Sequence, residues 1–225
     1  MRTARLRVPA ALALAVLPLS WAAGPGLERV AGAQLCVTEG RLESLPSGRL
    51  AVAESKFRAV AGRAGGSAAE LRFTYLGPTR QSSALGSGAV REQLGLKLRA
   101  QDPCNLVYVM WRITPVSKLV VSLKKNPGQH TSAECANHGY RNLKPERSEP
   151  LPAPAPGSSH VLSAGMRGDE LQVQVDGATV WAGRLGGEAR ALNGPAGLRS
   201  DNVRFEFDLY APAGAAAACP RHGEE

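Results

Sequence analysis

The sequence predicts an all-β domain, built as an antiparallel β-sandwich or barrel. About ten short segments alternate apolar and polar residues, and this period of two is typical of strands buried on one face. Helical periods are weak along the whole chain. Four cysteines, an even number, and an apolar N-terminal segment further indicate an exported product with disulfide bonds.

The first half of the chain carries the clearest strands. Residues 70–76 and 91–100 alternate cleanly, whereas residues 105–113 are apolar on both faces, which is typical of a central strand. Residues 118–125 alternate again. They end at the turn Asn126-Pro127-Gly128, in which proline fixes φ and glycine allows a positive φ.

The second half begins with a proline-rich stretch, residues 144–159, which we interpret as a long loop inside one domain. Residues 171–176 and 179–184 then form a predicted hairpin around the tight turn Asp176-Gly177. The last predicted strand alternates over residues 204–209.

Residues 1–33 have the organisation of a cleavable signal peptide. Three arginines precede the first acidic residue, and the apolar run Pro9 to Trp21 is shorter than the roughly 20 residues that span a bilayer. Ala31-Gly32-Ala33 offers a small-x-small cleavage site, and a cut after Ala22 is the alternative. We therefore predict a secreted or periplasmic protein with no membrane span.

Removal of residues 1–33 leaves one predicted domain, residues 34–212, and a low-complexity tail, residues 213–225. The chain carries a net charge of +8, and loss of the leader's four arginines and one glutamate lowers it to +5. This mild excess is compatible with acidic glycans, and export argues against nucleic acid as a partner.

Four cysteines in an oxidising compartment predict two disulfides. Three pairings are possible. We favour Cys104–Cys135, which closes a loop in mid-chain, and Cys36–Cys219, which ties the two ends of the domain together.

Two motifs in the second half point to a known superfamily. Residues 168–177 read Gly-Asp-Glu-Leu-Gln-Val-Gln-Val-Asp-Gly, and residues 194–199 read Gly-Pro-Ala-Gly-Leu-Arg. From His160 onward the chain resembles the concanavalin A-like jelly rolls, which include laminin-G-like domains. The resemblance implies two curved antiparallel sheets with a ligand on the concave face or rim. It names no ligand, because this fold hosts lectins, adhesion modules, hydrolases and lyases.

Strand parity gathers candidate binding residues. Lys97 and Arg99 share the polar face of one strand, Tyr108 and Arg112 share a face of the central strand, and Lys124 lies on the next. If these faces coincide, the sheet is basic with a tyrosine platform. Such a surface suits an anionic polysaccharide or glycoconjugate.

Catalysis is the alternative. Hydrolysis of a glycan needs two carboxylates flanking the bond, and the nearest match, Glu206 and Asp208, lacks the third acid common in this superfamily. A lyase needs a base and groups that neutralise a uronate carboxylate. Side chains of the right types are Tyr108, Arg112, Lys124, Gln129, His130 and Tyr140.

A calcium ion is the one candidate cofactor. Some laminin-G-like domains hold calcium at the rim through oxygen ligands, and Asp201 and Asn202 are the candidate residues, with Asp176 as a third. The competing interpretation is a turn in which Asp and Asn bond their own backbone.

The sequence as a whole favours a secreted carbohydrate-binding, lectin-like or adhesive module. The alternatives are a polysaccharide-degrading enzyme, with lyase ahead of hydrolase, and a structural envelope protein with a protein partner. Absence of a complete carboxylate set in the sequence argues against hydrolysis.

Overall fold

The computed structural model describes residues 26–63, 65–216 and 219. Within these residues, strands dominate, and the helices α1 (Ser132–Cys135) and α2 (Gly187–Arg190) are single turns. The strands are β1 (Leu27–Arg29), β2 (Leu35–Glu39), β3 (Glu43–Ser44), β4 (Leu50–Val52), β5 (Lys56–Ala61), β6 (Ala68–Pro78), β7 (Gln93–Asp102), β8 (Asn105–Arg112), β9 (Lys118–Lys124), β10 (Tyr140–Asn142), β11 (Arg147–Ser148), β12 (Ser159–Arg167), β13 (Glu170–Val175), β14 (Ala178–Arg184), β15 (Gly197–Asp201) and β16 (Val203–Pro212).

The strands form two sheets in which neighbours pair antiparallel, as predicted. The larger sheet has the order β11-β14-β13-β12-β6-β16-β4-β3, with β1 also on β16. The smaller sheet has the order β10-β9-β8-β7-β15-β5-β2. Strand β15 therefore lies between β7 and β5, although about a hundred residues separate it from β7 in sequence.

The core lies between the sheets and follows the period of two. Leu94, Leu96 and Leu98 of β7 are fully buried on its inner side, and Trp111 of β8 is 1% exposed. Because successive side chains of a strand point to opposite faces, the intervening residues of β7 and β8 face away from this core.

The fold begins before the predicted domain boundary at residue 34. Strand β1 pairs with the end of β16, and Val30 is 1% exposed in the core. The predicted basic and apolar leader segments and the alternative cut after Ala22 fall outside the described residues. The Ala31-Gly32-Ala33 site, in contrast, lies within the folded part of the chain.

Both disulfides have the pairing favoured from the sequence. Cys104 is bonded to Cys135 at the start of β8, and Cys36 of β2 is bonded to Cys219. The second bond joins the tail to the edge of the smaller sheet, where Ala216 also forms a bridge with Arg63.

The proline-rich stretch at 144–159 is a loop within this one sandwich. It contributes the short edge strand β11 to the larger sheet and buries Leu151 against the core. No helix among the described residues is long and apolar enough to cross a membrane.

Candidate functional site

A second layer of side chains covers the outer side of the smaller sheet, away from the core. Leu106, Tyr108 and Met110 of β8 belong to a cluster separate from the main core, together with Cys36 and Val60 at the sheet's other edge. We call the polar part of this surface the basic face. Its members are Arg58, Lys97, Tyr108, Arg112, Lys124, Tyr140, Arg199 and Asp201.

Two tyrosines and two cations form the centre of the basic face. The rings of Tyr108 and Tyr140 stack with centroids 5.9 Å apart and an interplanar angle of 22°. The Arg199 guanidinium lies 5.2 Å from the Tyr108 ring centroid, and Lys124 Nζ lies 5.1 Å from that of Tyr140. Such cation–π contacts fix both rings beside positive charge.

Asp201 is the buried anion that organises the arginines. Arg199 Nε donates to its Oδ2 at 2.8 Å, Gln93 Nε2 donates to the same oxygen at 2.7 Å, and Arg58 lies 3.4 Å from Oδ1. Burial acts to raise the pKa of Asp201, but the two guanidinium groups and these hydrogen bonds outweigh it and hold the pKa below its ordinary value. The carboxylate is therefore charged at neutral pH.

Lys124 is committed to neighbours on its own side of the sheet. Its Nζ donates to the Ala136 carbonyl oxygen at 3.0 Å and to Cys135 Sγ at 3.2 Å. Burial lowers the pKa of Lys124, the Tyr140 ring opposes this, and Arg199 adds to the lowering. Lys124 therefore contributes positive charge and a contact with the Tyr140 ring, more than a hydrogen-bond donor for a ligand.

Arg112 differs from the other arginines of the basic face. Its Nε atom is buried without a hydrogen-bond partner, and no acid among the described residues lies within ion-pair distance. Burial lowers its pKa, and the charges of Arg91 and Arg199 lower it further. A partly desolvated cation without a counter-ion is the feature that an anion would satisfy.

The structure brings together four of the five binding residues predicted from the sequence. Lys97, Tyr108, Arg112 and Lys124 share the basic face, and Lys97 lies directly opposite Tyr108 in the register. Arg99 does not share it. Its φ of 47° falls in a region where the β7–β8 register shifts after Leu98, so strand parity fails there.

Arg99 serves a different loop. Its Nη1 donates to the carbonyl oxygens of Arg190 at 2.7 Å and Leu192 at 3.4 Å. It lines a shallow pocket with Gly66 and Gly194 at the end of the sandwich.

Sequence reasoning missed Arg58 and Arg199. Arg199 is the last residue of the Gly-Pro-Ala-Gly-Leu-Arg motif, and it lies in β15 opposite Arg58 and Gly95. The alternation of Arg199 with Asp201 was the available signal, because residues two apart share a face of a strand.

The two calcium candidates are both engaged by protein groups. Asp201 binds the arginines, and Asn202 uses its amide to accept from the Ser83 backbone N–H at 2.7 Å and to donate to the carbonyl oxygens of Ser83 and Arg91 at 2.9 Å. Asn202 has a φ of 57°, a conformation that asparagine tolerates in turns. No group of three or more metal-ligating side chains occurs among the described residues.

Of the residues considered for catalysis, four lie on the basic face and the two carboxylates do not. Glu206 and Asp208 lie on the outer face of the larger sheet, where Arg49 is within 3.2 Å and 3.5 Å of them. His130 contacts Asp102 at 2.9 Å through its Nδ1 and is exposed. The basic face thus has tyrosines and cations of the kinds a lyase needs but no histidine among them.

No protein-family model matches the chain, and no curated protein matches it in sequence. Among solved structures, the carbohydrate-binding module CBM66 from Bacillus subtilis matches with a TM-score of 0.54 at 12% identity, covering 77% of this chain and 91% of that one. The carbohydrate recognition domain of Emp46p follows with a TM-score of 0.49, 11% identity, and coverage of 88% and 100%. The Crh5 transglycosylase matches with a TM-score of 0.48 at 14% identity, covering 84% of this chain and 83% of that one.

Of these three, only the first exceeds a TM-score of 0.5, and at 12% identity it establishes the fold. That fold is the concanavalin A-like jelly roll that the sequence motifs resemble.

Proposed function

We propose that this protein is an exported carbohydrate-binding module that holds an anionic polysaccharide or glycoconjugate on its basic face. The observation that carries the proposal is Arg112, a cation without an acidic partner among the described residues, set beside Arg91 and Arg199. A carboxylate or sulfate group would accept hydrogen bonds from these guanidinium groups in the bidentate geometry that arginine favours.

The tyrosines supply the second element of the proposed site. Tyr140 is 39% exposed and is backed by Tyr108, Lys124 and Arg199, so its ring is held in one orientation. A rigid aromatic surface beside charged donors is typical of polar-ligand sites, because the ring packs against a sugar while the donors fix its orientation.

A surface for sugars fits the exposed residues better than a protein-binding surface. Among the described residues, the exposed large apolar side chains are Val90, Val116 and Tyr140. Large contiguous exposed apolar patches are typical of surfaces that bind a protein partner. The adhesive role with a protein partner is therefore the lesser candidate.

Export is part of the proposal, with a cut after Ala22 in place of Ala33. A cut after Ala33 would remove β1 from β16 and the buried Val30 from the core. The two disulfides support an oxidising destination, either periplasm or medium. N-terminal sequencing of the exported protein tests this: a first residue near Ala23 is expected, and a first residue at Gln34 would contradict it.

The binding proposal is tested on an array of neutral and anionic polysaccharides, with the purified wild type and Arg112→Gln. We expect signal on uronate-rich or sulfated polymers that falls with added salt and is lost in Arg112→Gln, because exposed charge interactions are screened. A calcium arm and a chelator arm test the calcium site that the sequence suggests at Asp201 and Asn202. A blank array, or equal signal on neutral polymers, would overturn the proposal. A blank array would favour the adhesive role with a protein partner.

A further inference from the structure

Three polar side chains form a linear arrangement at the larger sheet, where the proline-rich loop joins β12. Ser158 Oγ lies 2.9 Å from His160 Nε2, and His160 Nδ1 lies 2.7 Å from Asp176 Oδ2. In this order of contacts a carboxylate orients an imidazole, and the imidazole can accept the proton of a hydroxyl nucleophile.

The local sequence explains why Ser158 occupies this position. Ala155-Pro156-Gly157-Ser158 forms a turn in which the Ser158 N–H donates to the Ala155 carbonyl oxygen at 2.9 Å and Gly157 has a φ of 88°. The Gly157 N–H donates to the Tyr75 carbonyl oxygen, and the Tyr75 N–H donates to that of Ser158. Gly157 and Ser158 thus oppose the single residue Tyr75, which is the arrangement of a β-bulge that begins at a glycine. Bulges of this kind change the direction of side chains and are frequent near functional sites.

The imidazole and the carboxylate are held by further contacts. The His160 ring packs against Trp111 at 5.2 Å and Phe73 at 5.8 Å between centroids. Asp176 Oδ1 accepts from the Val161 backbone N–H at 2.8 Å. Groups fixed in this way are pre-organised, because little reorientation is needed before a proton moves.

A largely apolar cleft of about 450 Å³ opens beside these groups. Ser158, His160 and Asp176 contribute its polar positions. Its apolar wall is formed by Trp111, Pro150, Leu151, Pro152, Pro154, Val175 and Val180. The chemistry of this wall suits a short hydrocarbon group, such as the acyl part of an ester, more than a hydrated sugar.

We propose that Ser158, His160 and Asp176 form a nucleophilic site that hydrolyses carboxylic esters with a short apolar acyl group. Ser158 Oγ attacks the carbonyl carbon, and its proton passes to His160 Nε2. The carbon–oxygen bond to the alcohol breaks, and the alcohol leaves with that proton. Water then attacks the acyl-serine, loses a proton to His160, and releases the carboxylic acid and free Ser158.

Two details of the backbone bear on this step. The Ser158 hydroxyl also lies 2.6 Å from the Ala155 carbonyl oxygen, so its hydrogen must turn to His160 when the ester enters. The N–H of Ser159 points away from β6, because ladder bonds alternate along the strand, and we assign it to the developing oxyanion.

The test uses the purified protein, a fluorophosphonate probe and p-nitrophenyl butyrate, with Ser158→Ala and Asp176→Asn as variants. The matched control is Ser163→Ala, a serine of β12 on the outer face of the larger sheet. We expect wild type and control to be labelled at Ser158, located by mass spectrometry, and to hydrolyse the ester. Ser158→Ala should lose labelling, and Asp176→Asn should be slowed about 100-fold or more.

Lack of labelling and turnover in the wild type would overturn the proposal, as would equal activity in wild type and Ser158→Ala. Asp176 is half exposed, so Asp176→Asn keeps the test decisive if Ser158→Ala does not fold. The inference does not depend on the basic face, and polysaccharide binding is measured separately.

Discussion

The outer faces of the two sheets are both rich in charge, but they balance it differently. On the larger sheet three arginines lie beside acids, in the pairs Arg29–Asp208, Arg49–Glu206 and Arg72–Glu70. On the basic face Asp201 serves both Arg58 and Arg199, Arg58 also pairs with Glu39, and Arg112 has no acidic partner among the described residues. The paired arginines of the first face are neutralised locally, whereas Arg112 of the second face is not.

Burial separates the two faces as well. The side chains of Arg29 and Arg72 are 45% and 54% exposed, whereas those of Arg199 and Asp201 are 11% and 1% exposed. Ion pairs in water contribute little because they are screened, whereas removal of one partner from a buried pair leaves an uncompensated charge. The same kind of substitution should therefore have different effects on the two faces.

The largest effect is expected from Asp201→Asn. Arg199 loses the carboxylate with which it pairs, and Arg58 keeps only Glu39, so we expect the free energy of unfolding to fall by about 3 kcal/mol. Asp208→Asn on the larger sheet is the control and should cost about 1 kcal/mol or less. Urea unfolding followed by fluorescence measures both, and similar losses would remove the distinction between the faces.

Next in size is Arg112→Glu, which places an anion where the proposal needs a cation. Affinity for an anionic polysaccharide should fall about 100-fold, because the interaction with the ligand charge changes from attraction to repulsion. Arg72→Glu on the larger sheet should leave affinity unchanged within about twofold, a difference of only a few tenths of a kcal/mol. Titration calorimetry gives both values, and an equal loss would indicate a general charge effect.

Acidic pH should lower the free energy of unfolding of the wild type, because Asp201 becomes protonated. Its pKa is lower in the folded protein than the value of about 3.9 in an unfolded chain, so the carboxylate stabilises the fold above that pH. This stabilisation is lost as the pH falls through the lower, folded value. Between pH 5 and strongly acidic solution, the unfolding free energy of the wild type should therefore drop more than that of Asp201→Asn, and parallel curves would contradict this.

Substitutions of Tyr140 should have smaller effects on ligand binding than Arg112→Glu. Tyr140→Ala removes the stacking surface and should weaken binding about tenfold, within the range of an aromatic contact. Tyr140→Phe loses only the 3.3 Å contact with Arg199 Nη1 and should stay within about twofold, because the contact is long and partly exposed. Equal losses in the two variants would show that the hydroxyl, and not the ring, carries the contribution.

The smallest effect is expected from Lys124→Gln. Its ammonium group is already engaged by Ala136 and Cys135, so affinity should fall only about twofold. The affinity of the variant should also depend less on salt concentration, because one positive charge is lost. Calorimetry at two salt concentrations measures this. A loss as large as that of Arg112→Glu would mean that Lys124 contacts the ligand directly.

The sequence allowed much of the sandwich to be predicted because strand periodicity is a local property. The central strand and its neighbours were found, and the parity that buries Trp111 placed Tyr108 and Arg112 on the opposite face. Parity fails wherever the ladder is interrupted. Arg99 was therefore placed on the wrong face, since its positive φ at the β7–β8 irregularity is not visible in an alternating pattern.

Long-range pairing explains what sequence reasoning did not find. Arg58 and Arg199 meet only because β15 inserts between β5 and β7, and nothing in the local pattern of either strand specifies that neighbour. The Ser158–His160–Asp176 arrangement depends likewise on a turn and a hairpin meeting at one end of the larger sheet. Ser158 and His160 are close in the sequence, whereas Asp176, in the turn between β13 and β14, is brought beside them only by the fold.

The central claim is tested most directly by mapping where an anionic oligosaccharide binds. A uronate oligosaccharide is titrated into isotopically labelled protein, and backbone amide shifts are followed by NMR. If the basic face binds the ligand, we expect shifts concentrated on β8, β10 and β15, around Tyr108, Arg112, Tyr140 and Arg199. Little change is expected on the outer face of the larger sheet. Shifts confined to the larger sheet, or none at ligand excess, would contradict it.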